Sequence, residues 1–247
     1  MRKWLLGMVL LGGVAQAQIV LDFQTPEAKT HQLTFQVLSK SQYLRNTLRE
    51  FSESLKWPRK ITVVFLECKK ANAFYDPKKL QVQMCYELID EYLELENQNK
   101  NTEKGMLSAV MFTLLHELSH ALIDQFKLPA TGREEDAADQ FATLALLNLK
   151  DDDALLSGLA QFAREAATEA EAPSDGFADA HALSAQRLYN LVCLLYGSNK
   201  NKHQDLLKQF KIPSNRVALC PEEFQDALYA WNTLLKPHQR NPKKALL

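Results

Sequence analysis

The sequence predicts an α+β fold: a small N-terminal β-sheet with an edge hairpin, followed by a mainly helical half. Three observations carry this. Alternating or β-branched apolar runs are confined to residues 18–101. Asp76-Pro77 joins two of those runs into a hairpin. Across residues 102–247 the apolar residues recur at helical spacing instead. Strands in one part and helices in the other argue for α+β, not for alternating β-α units.

Taken in order, residues 18–38 alternate loosely (Ile19, Leu21, Phe23; then Leu33, Phe35, Val37) and suggest short strands. Ser41 to Leu55 reads as a helix, with Leu44, Leu48, Phe51 and Leu55 on one face, stopped by Trp57-Pro58. Ile61–Leu66 is a buried strand by its β-branched content. Ala71–Asp76 and Leu80–Tyr86 form the hairpin. A helix from Tyr86 to about Glu96 and a polar loop at 97–101 follow. The helix from Glu103 to about Phe126, with Thr102 as cap, is apolar almost all round and so belongs at the centre. After the turn at Pro129–Gly132 come helices at 133–149, 151–169, 178–196 (after a loop at 172–176, and closed by Gly197), 201–211 and 221–235.

Hydrophobic residues make up 46 % of the 247 residues, enough for one sizeable core over 18–247. With 29 basic and 30 acidic side chains, nothing favours nucleic acid as a partner, and the short basic stretch from Lys236 to Lys244 reads as solvated. Residues 1–17 read as a signal peptide. Arg2 and Lys3 precede the apolar run Trp4–Val14, too short to span a bilayer, and Ala15-Gln16-Ala17 fits a cleavage site. The expected location is therefore exported, periplasmic or secreted, with no transmembrane segment in the mature chain. Four cysteines, Cys68, Cys85, Cys193 and Cys220, are then expected to pair. Of the three possible connectivities, Cys68–Cys85 with Cys193–Cys220 is the most economical.

The chemistry concentrates in His116-Glu117-Leu118-Ser119-His120. On a helix, residues four apart share a face, so His116 and His120 offer two imidazoles to one ion, and Glu117 reaches a water beside it. A catalytic zinc (Zn2+) needs a third protein ligand and an open position. The metzincin solution would require His and Gly where Phe126 and Ile123 stand. The alternative is a carboxylate from the following helix. Glu135 is the expected third ligand, with Glu134 as the rival, and Asp139, four residues after Glu135, would take the second ring N–H of a ligand histidine.

His116-Glu117-x-x-His120 with Glu135-x-x-Ala138-Asp139 resembles the gluzincin metallopeptidases. The run Leu128-Pro129-x-x-Gly132-Arg133-Glu134-Glu135-Asp136-Ala137-Ala138-Asp139, together with Cys68-x-x-x-Asn72-Ala73-Phe74-Tyr75-Asp76-Pro77 and Gln186-Arg187-x-Tyr189-Asn190-x-x-Cys193, is similar to a bacterial family of exported metallopeptidase-like proteins. The resemblance implies hydrolysis of a peptide or protein substrate, with Glu117 as general base. Asn72-Ala73-Phe74-Tyr75 also resembles the edge strand on which thermolysin-type enzymes lay a peptide, implying substrate contacts by Asn72, Ala73 and Tyr75. His181 and Arg187 are candidates for stabilising the oxyanion; Arg187 has the alternative of pairing with the acids that start the helix at 133–149. A zinc-bound binding or inhibitory protein without catalysis is the competing expectation.

Overall fold

The computed structural model describes residues 18–98, 102–169, 180–241, 243, 246 and 247. The expected signal peptide, the end of the 97–101 loop, the 172–176 loop and the start of the helix expected at Ala178 lie outside the described residues, as does the Thr102 side chain.

Four strands form one sheet in the order β1-β2-β4-β3: β1 (Ile19–Phe23), β2 (Ile61–Leu66), β3 (Ala73–Asp76) and β4 (Gln81–Cys85). The first three neighbours run parallel, with Val63 beside Leu21 and Val82, while β3 pairs antiparallel with β4 at the edge. Parallel neighbours need a crossover. Between β1 and β2 it is supplied by α1 (Gln32–Lys40) and α2 (Gln42–Ser54). Asp76 makes the hairpin turn by accepting the N–H groups of Lys78 and Lys79, at 2.9 and 3.2 Å. The architecture is α+β, as the sequence predicts.

Residues 29–40 correct the sequence reading: a 3-10 turn, Lys29–His31, and α1 stand where a strand was expected. Thr34 and Leu38, four apart, are fully buried, whereas Leu33 is 50 % exposed. The burial period is helical, and the apparent alternation of Leu33, Phe35 and Val37 is not the burial pattern. Thr34 Oγ1 and His31 Nδ1 both bond the carboxylate of Asp90, which ties α1 to α3 (Tyr86–Gln98).

The helical half is built round α4 (Thr102–Phe126). By length and composition alone this helix would pass for a membrane span, but most of it is buried inside the protein. Neighbours on several sides explain its lack of a polar face: α3, α5 (Glu134–Leu149), α6 (Asp152–Glu169) and strand β3. α7 runs Ser184–Ser198, starting later than expected because the Glu169 carboxylate accepts the Ser184 N–H at 2.7 Å and so caps the helix there. Gly197 does not end α7 as a left-handed cap; it lies inside the helix. A Cβ there would meet the Cys220 carbonyl at 2.3 Å, so this glycine serves the close approach of α10 (Cys220–Leu235). The remaining helices are α8 (Lys200–Gln209) and the short α9 (Ser214–Val217).

Both disulfides take the economical pairing. Cys68–Cys85 braces the loop before β3 against the end of β4, and Cys193–Cys220 joins α7 to α10.

Candidate metal centre

His116 and His120 project from one face of α4, their rings 5.1 Å apart and nearly perpendicular. The turn 127–133 brings α5 back so that its first turn faces them. Three acidic residues open α5, where the helix dipole favours negative charge. Glu135 Oε2 is the meeting point: it lies 3.2 Å from His116 Nε2, 3.5 Å from His120 Nε2 and 2.8 Å from His181 Nε2. Glu134 Oε1 instead takes the opposite nitrogen of His120, Nδ1, at 2.7 Å.

One turn further along α5, Asp139 Oδ1 accepts the His116 Nδ1–H at 2.8 Å. Asp139 is itself held by Arg187 of α7, whose Nε donates to Oδ2 at 2.7 Å and whose Nη2 donates to Oδ1 at 2.9 Å. The guanidinium also lies 4.2 Å from the centre of the Phe162 ring. The bidentate pair keeps the buried Asp139 ionised, which holds the His116 Nδ1–H and turns Nε2 towards the Glu135 carboxylate. Of the two expectations for Arg187, the structure realises the pairing with an acid of α5.

The electrostatics suit a cation. Burial works against charge on every group here, yet the hydrogen bonds to Asp139 and Glu135 outweigh it at His116 and push its pKa up to about 9. At Glu135 burial is likewise outweighed, by hydrogen bonds from the three histidines, and the carboxyl is held well below the usual range. Glu117, 8 % exposed, goes the other way: burial and the nearby Glu135 raise its pKa despite the two histidines. The donor set of imidazole nitrogens and carboxylate oxygens, with a carboxylate behind His116, fits a zinc-type ion. Among the described residues, His116, Glu135 and His181 place ligand atoms within 4.8 Å of one another. The other such group, Cys68, Cys85 and Glu87, has its sulfurs in a disulfide and its carboxylate on the Cys68 and Lys69 backbone.

A cleft of about 590 Å³ opens over the histidines, lined by the stretch Asn72–Tyr75 and by Glu117, His120, Glu135 and His181. The register of β3 sets what that stretch offers. Cys85 N donates to Asn72 O at 3.1 Å, so residues 72 and 85 are a hydrogen-bonded pair. Pairs alternate along an antiparallel ladder, so Ala73 and Tyr75 turn their backbone groups away from β4. The Tyr75 N–H reaches the Glu117 carboxylate. The Tyr75 hydroxyl is occupied elsewhere, donating to Asp124 Oδ2 at 2.8 Å and accepting from Gln125 Nε2 at 3.1 Å.

Asp124 and Gln125 were missed by sequence reasoning, although Asp124 sits four residues after His120 and so on the same face. His181 was read as a possible donor to substrate; the structure sets its ring parallel to that of His116, 6.3 Å away, on the same carboxylate oxygen. Tyr189 packs against the core.

Residues 23–235 match the model of a protein family described as "Putative metallopeptidase". No curated protein and no solved structure matches.

Proposed function

The chain belongs to this metallopeptidase family, and on that premise we propose that it is a gluzincin-like zinc peptidase. His116, His120 and Glu135 hold the ion, Asp139 and Arg187 position His116, and Glu117 is the general base. Zinc supplies Lewis acidity, polarising a peptide carbonyl and lowering the pKa of water. Glu117 takes a proton from the attacking water and returns it to the leaving amine, a role suited to a buried carboxyl whose pKa is raised. The outward backbone groups of Ala73, with the Asn72 amide, hold an extended peptide across the cleft. The observation that carries this reading is the convergence of His116 and His120 Nε2 on one Glu135 oxygen, with the general base between them in sequence and on the cleft.

A second reading rests on His181. Its Nε2 stands closer to Glu135 Oε2, at 2.8 Å, than those of the other two imidazoles. Were it a fourth ligand, the coordination would be closed and the protein a zinc-bound binding module without catalysis. The two disulfides support export to an oxidising compartment under either reading.

Glu117→Gln should lower peptide hydrolysis by about a thousandfold, the scale of general-base catalysis, while retaining zinc. Wild-type rates in that variant would refute the mechanism. Glu135→Ala should lose zinc by elemental analysis; unchanged zinc content would move the third ligand to Glu134. On the first reading His181 donates to the oxyanion, so His181→Ala should retain zinc and lose turnover. If it loses zinc, and the wild type hydrolyses no peptide, the closed site is correct.

A further inference from the structure

The metal centre borders a second recess. About 180 Å³ in volume, it shares Asn72, Ala73, Glu117 and His181 with the main cleft. The two lie in succession along β3. The large cleft takes in Phe74, Tyr75 and Pro77, whereas the recess takes in Ala71 and continues between α3, α4 and α6. A peptide laid along β3 over Glu117 therefore passes the recess on one side of the scissile bond.

The lining of the recess is of two kinds. Leu88, Phe112 and Phe162 supply apolar wall. The Tyr92 hydroxyl, Thr113 and Gln161 are polar but satisfy one another: Tyr92 Oη lies 2.9 Å from Thr113 Oγ1 and 3.3 Å from Gln161 Oε1, and Thr113 also donates to the Ala109 carbonyl. They leave little demand for a ligand. The charged residues are Glu117, Glu165 and Arg187, apart from the histidines. Arg187 gives Nε and Nη2 to Asp139 and its face to Phe162, so its charge is largely committed. Glu165 is exposed, and one of its oxygens accepts the Ser184 hydroxyl at 3.1 Å. A carboxylate at the solvent-facing end of an apolar-walled recess matches an aliphatic stem that ends in a cation. A purely aliphatic side chain would partly desolvate that carboxylate with nothing in return.

We infer that this recess is a subsite for one basic side chain of the substrate, Lys or Arg, and that Glu165 determines the preference. The inference rests on the peptidase reading above and extends it to a substrate class.

The test uses the zinc-loaded mature protein and a diverse peptide library, with cleavage products mapped by mass spectrometry. Lys and Arg should be enriched at one position adjoining the scissile bond. For paired substrates differing only in lysine or norleucine there, Glu165→Gln should cut the lysine advantage in kcat/KM about tenfold, the scale of one charge-assisted contact. Turnover of the norleucine peptide in the same variant reports that the fold is intact. Glu165→Lys should reverse the preference. Hydrolysis with no basic preference, or a preference that survives Glu165→Gln, would overturn the inference and leave the peptidase reading standing. If the wild type cleaves nothing, the peptidase reading falls, and calorimetric binding of the same peptide pair decides the recess. Tighter lysine binding erased by Glu165→Gln supports it; equal binding of the two peptides overturns it.

Discussion

The helix pair α4–α5 and the edge strand β3 face each other across one cleft, and they are held by opposite means. On the α4–α5 side the polar groups are paired in a chain with its middle buried: Arg187 to Asp139, Asp139 to His116, and His116 to Glu135, with His116 and Asp139 the buried pair. On the β3 side the residues are half-buried, and Ala73 turns its backbone groups outward. Its position comes from outside the strand, from the Cys68–Cys85 disulfide at one end and from Tyr75 on Asp124 further along. A site that grips a small ion needs fixed donors, and paired buried charge supplies them at the cost of desolvation. A surface that receives an extended chain needs unpaired backbone, and unpaired backbone is kept only at an exposed edge.

The comparison breaks first at the disulfide. Replacing Cys68 and Cys85 by Ser opens a loop with a sequence separation of 17. This should cost about 3 kcal/mol, read as a denaturation midpoint lowered by roughly 10 °C. Zinc affinity measured below that midpoint should not change; a parallel fall would mean that the two sides are not independent.

Asp139→Asn sharpens the opposite side. It replaces the carboxylate that accepts from His116 by a neutral amide with one accepting oxygen, and strips Arg187 of its counter-charge. Zinc affinity by competition with a chromogenic chelator should fall about 10- to 100-fold. Amide exchange in β3 should stay as in the wild type. Unchanged zinc affinity would show that the Asp139–His116 bond is not part of the metal centre.

The smallest effect concerns pH at the β3 side. Burial raises the Glu87 pKa, but the N–H groups of Cys68, Glu87 itself and Lys69 outweigh it, and the net shift is below the usual 4.5. A carboxyl depressed on folding contributes stability above its unfolded pKa and loses it as pH falls through the folded value. Protection of the Cys68 and Lys69 amides, relative to intrinsic exchange at each pH, should therefore fall as pH drops below about 4.5, and Glu87→Gln should show the reduced protection already at neutral pH. Equal protection in that variant would remove Glu87 from the account.

How much of this was legible beforehand depends on how local the signal is. His116 and His120 could be placed on one helical face from spacing alone, with Glu117 between them in sequence, and the expectation of Asp139 behind His116 came from the helix that succeeds it. The disulfide pairing followed from economy of loop length. Residues 32–40 misled because alternation over a few residues does not separate a strand from a helix; the Asp90 anchor that decides it lies 56 residues from Thr34 and 59 from His31. Gly197 misled for the same kind of reason, since its need for a bare Cα comes from α10 and not from its own turn.

The sequence by itself determined the donor types, their helical periodicity and the α+β division. Each of these depends on residues near one another in the chain, where backbone geometry permits few arrangements. Tertiary structure alone decided that Glu135 and not Glu134 receives the Nε2 atoms of His116 and His120, that Arg187 pairs with Asp139, that His181 joins the same oxygen, and that Ala73 faces the cleft. Those outcomes depend on how α5, α7 and β3 pack against α4, and packing is settled by the fit of surfaces that no single segment contains.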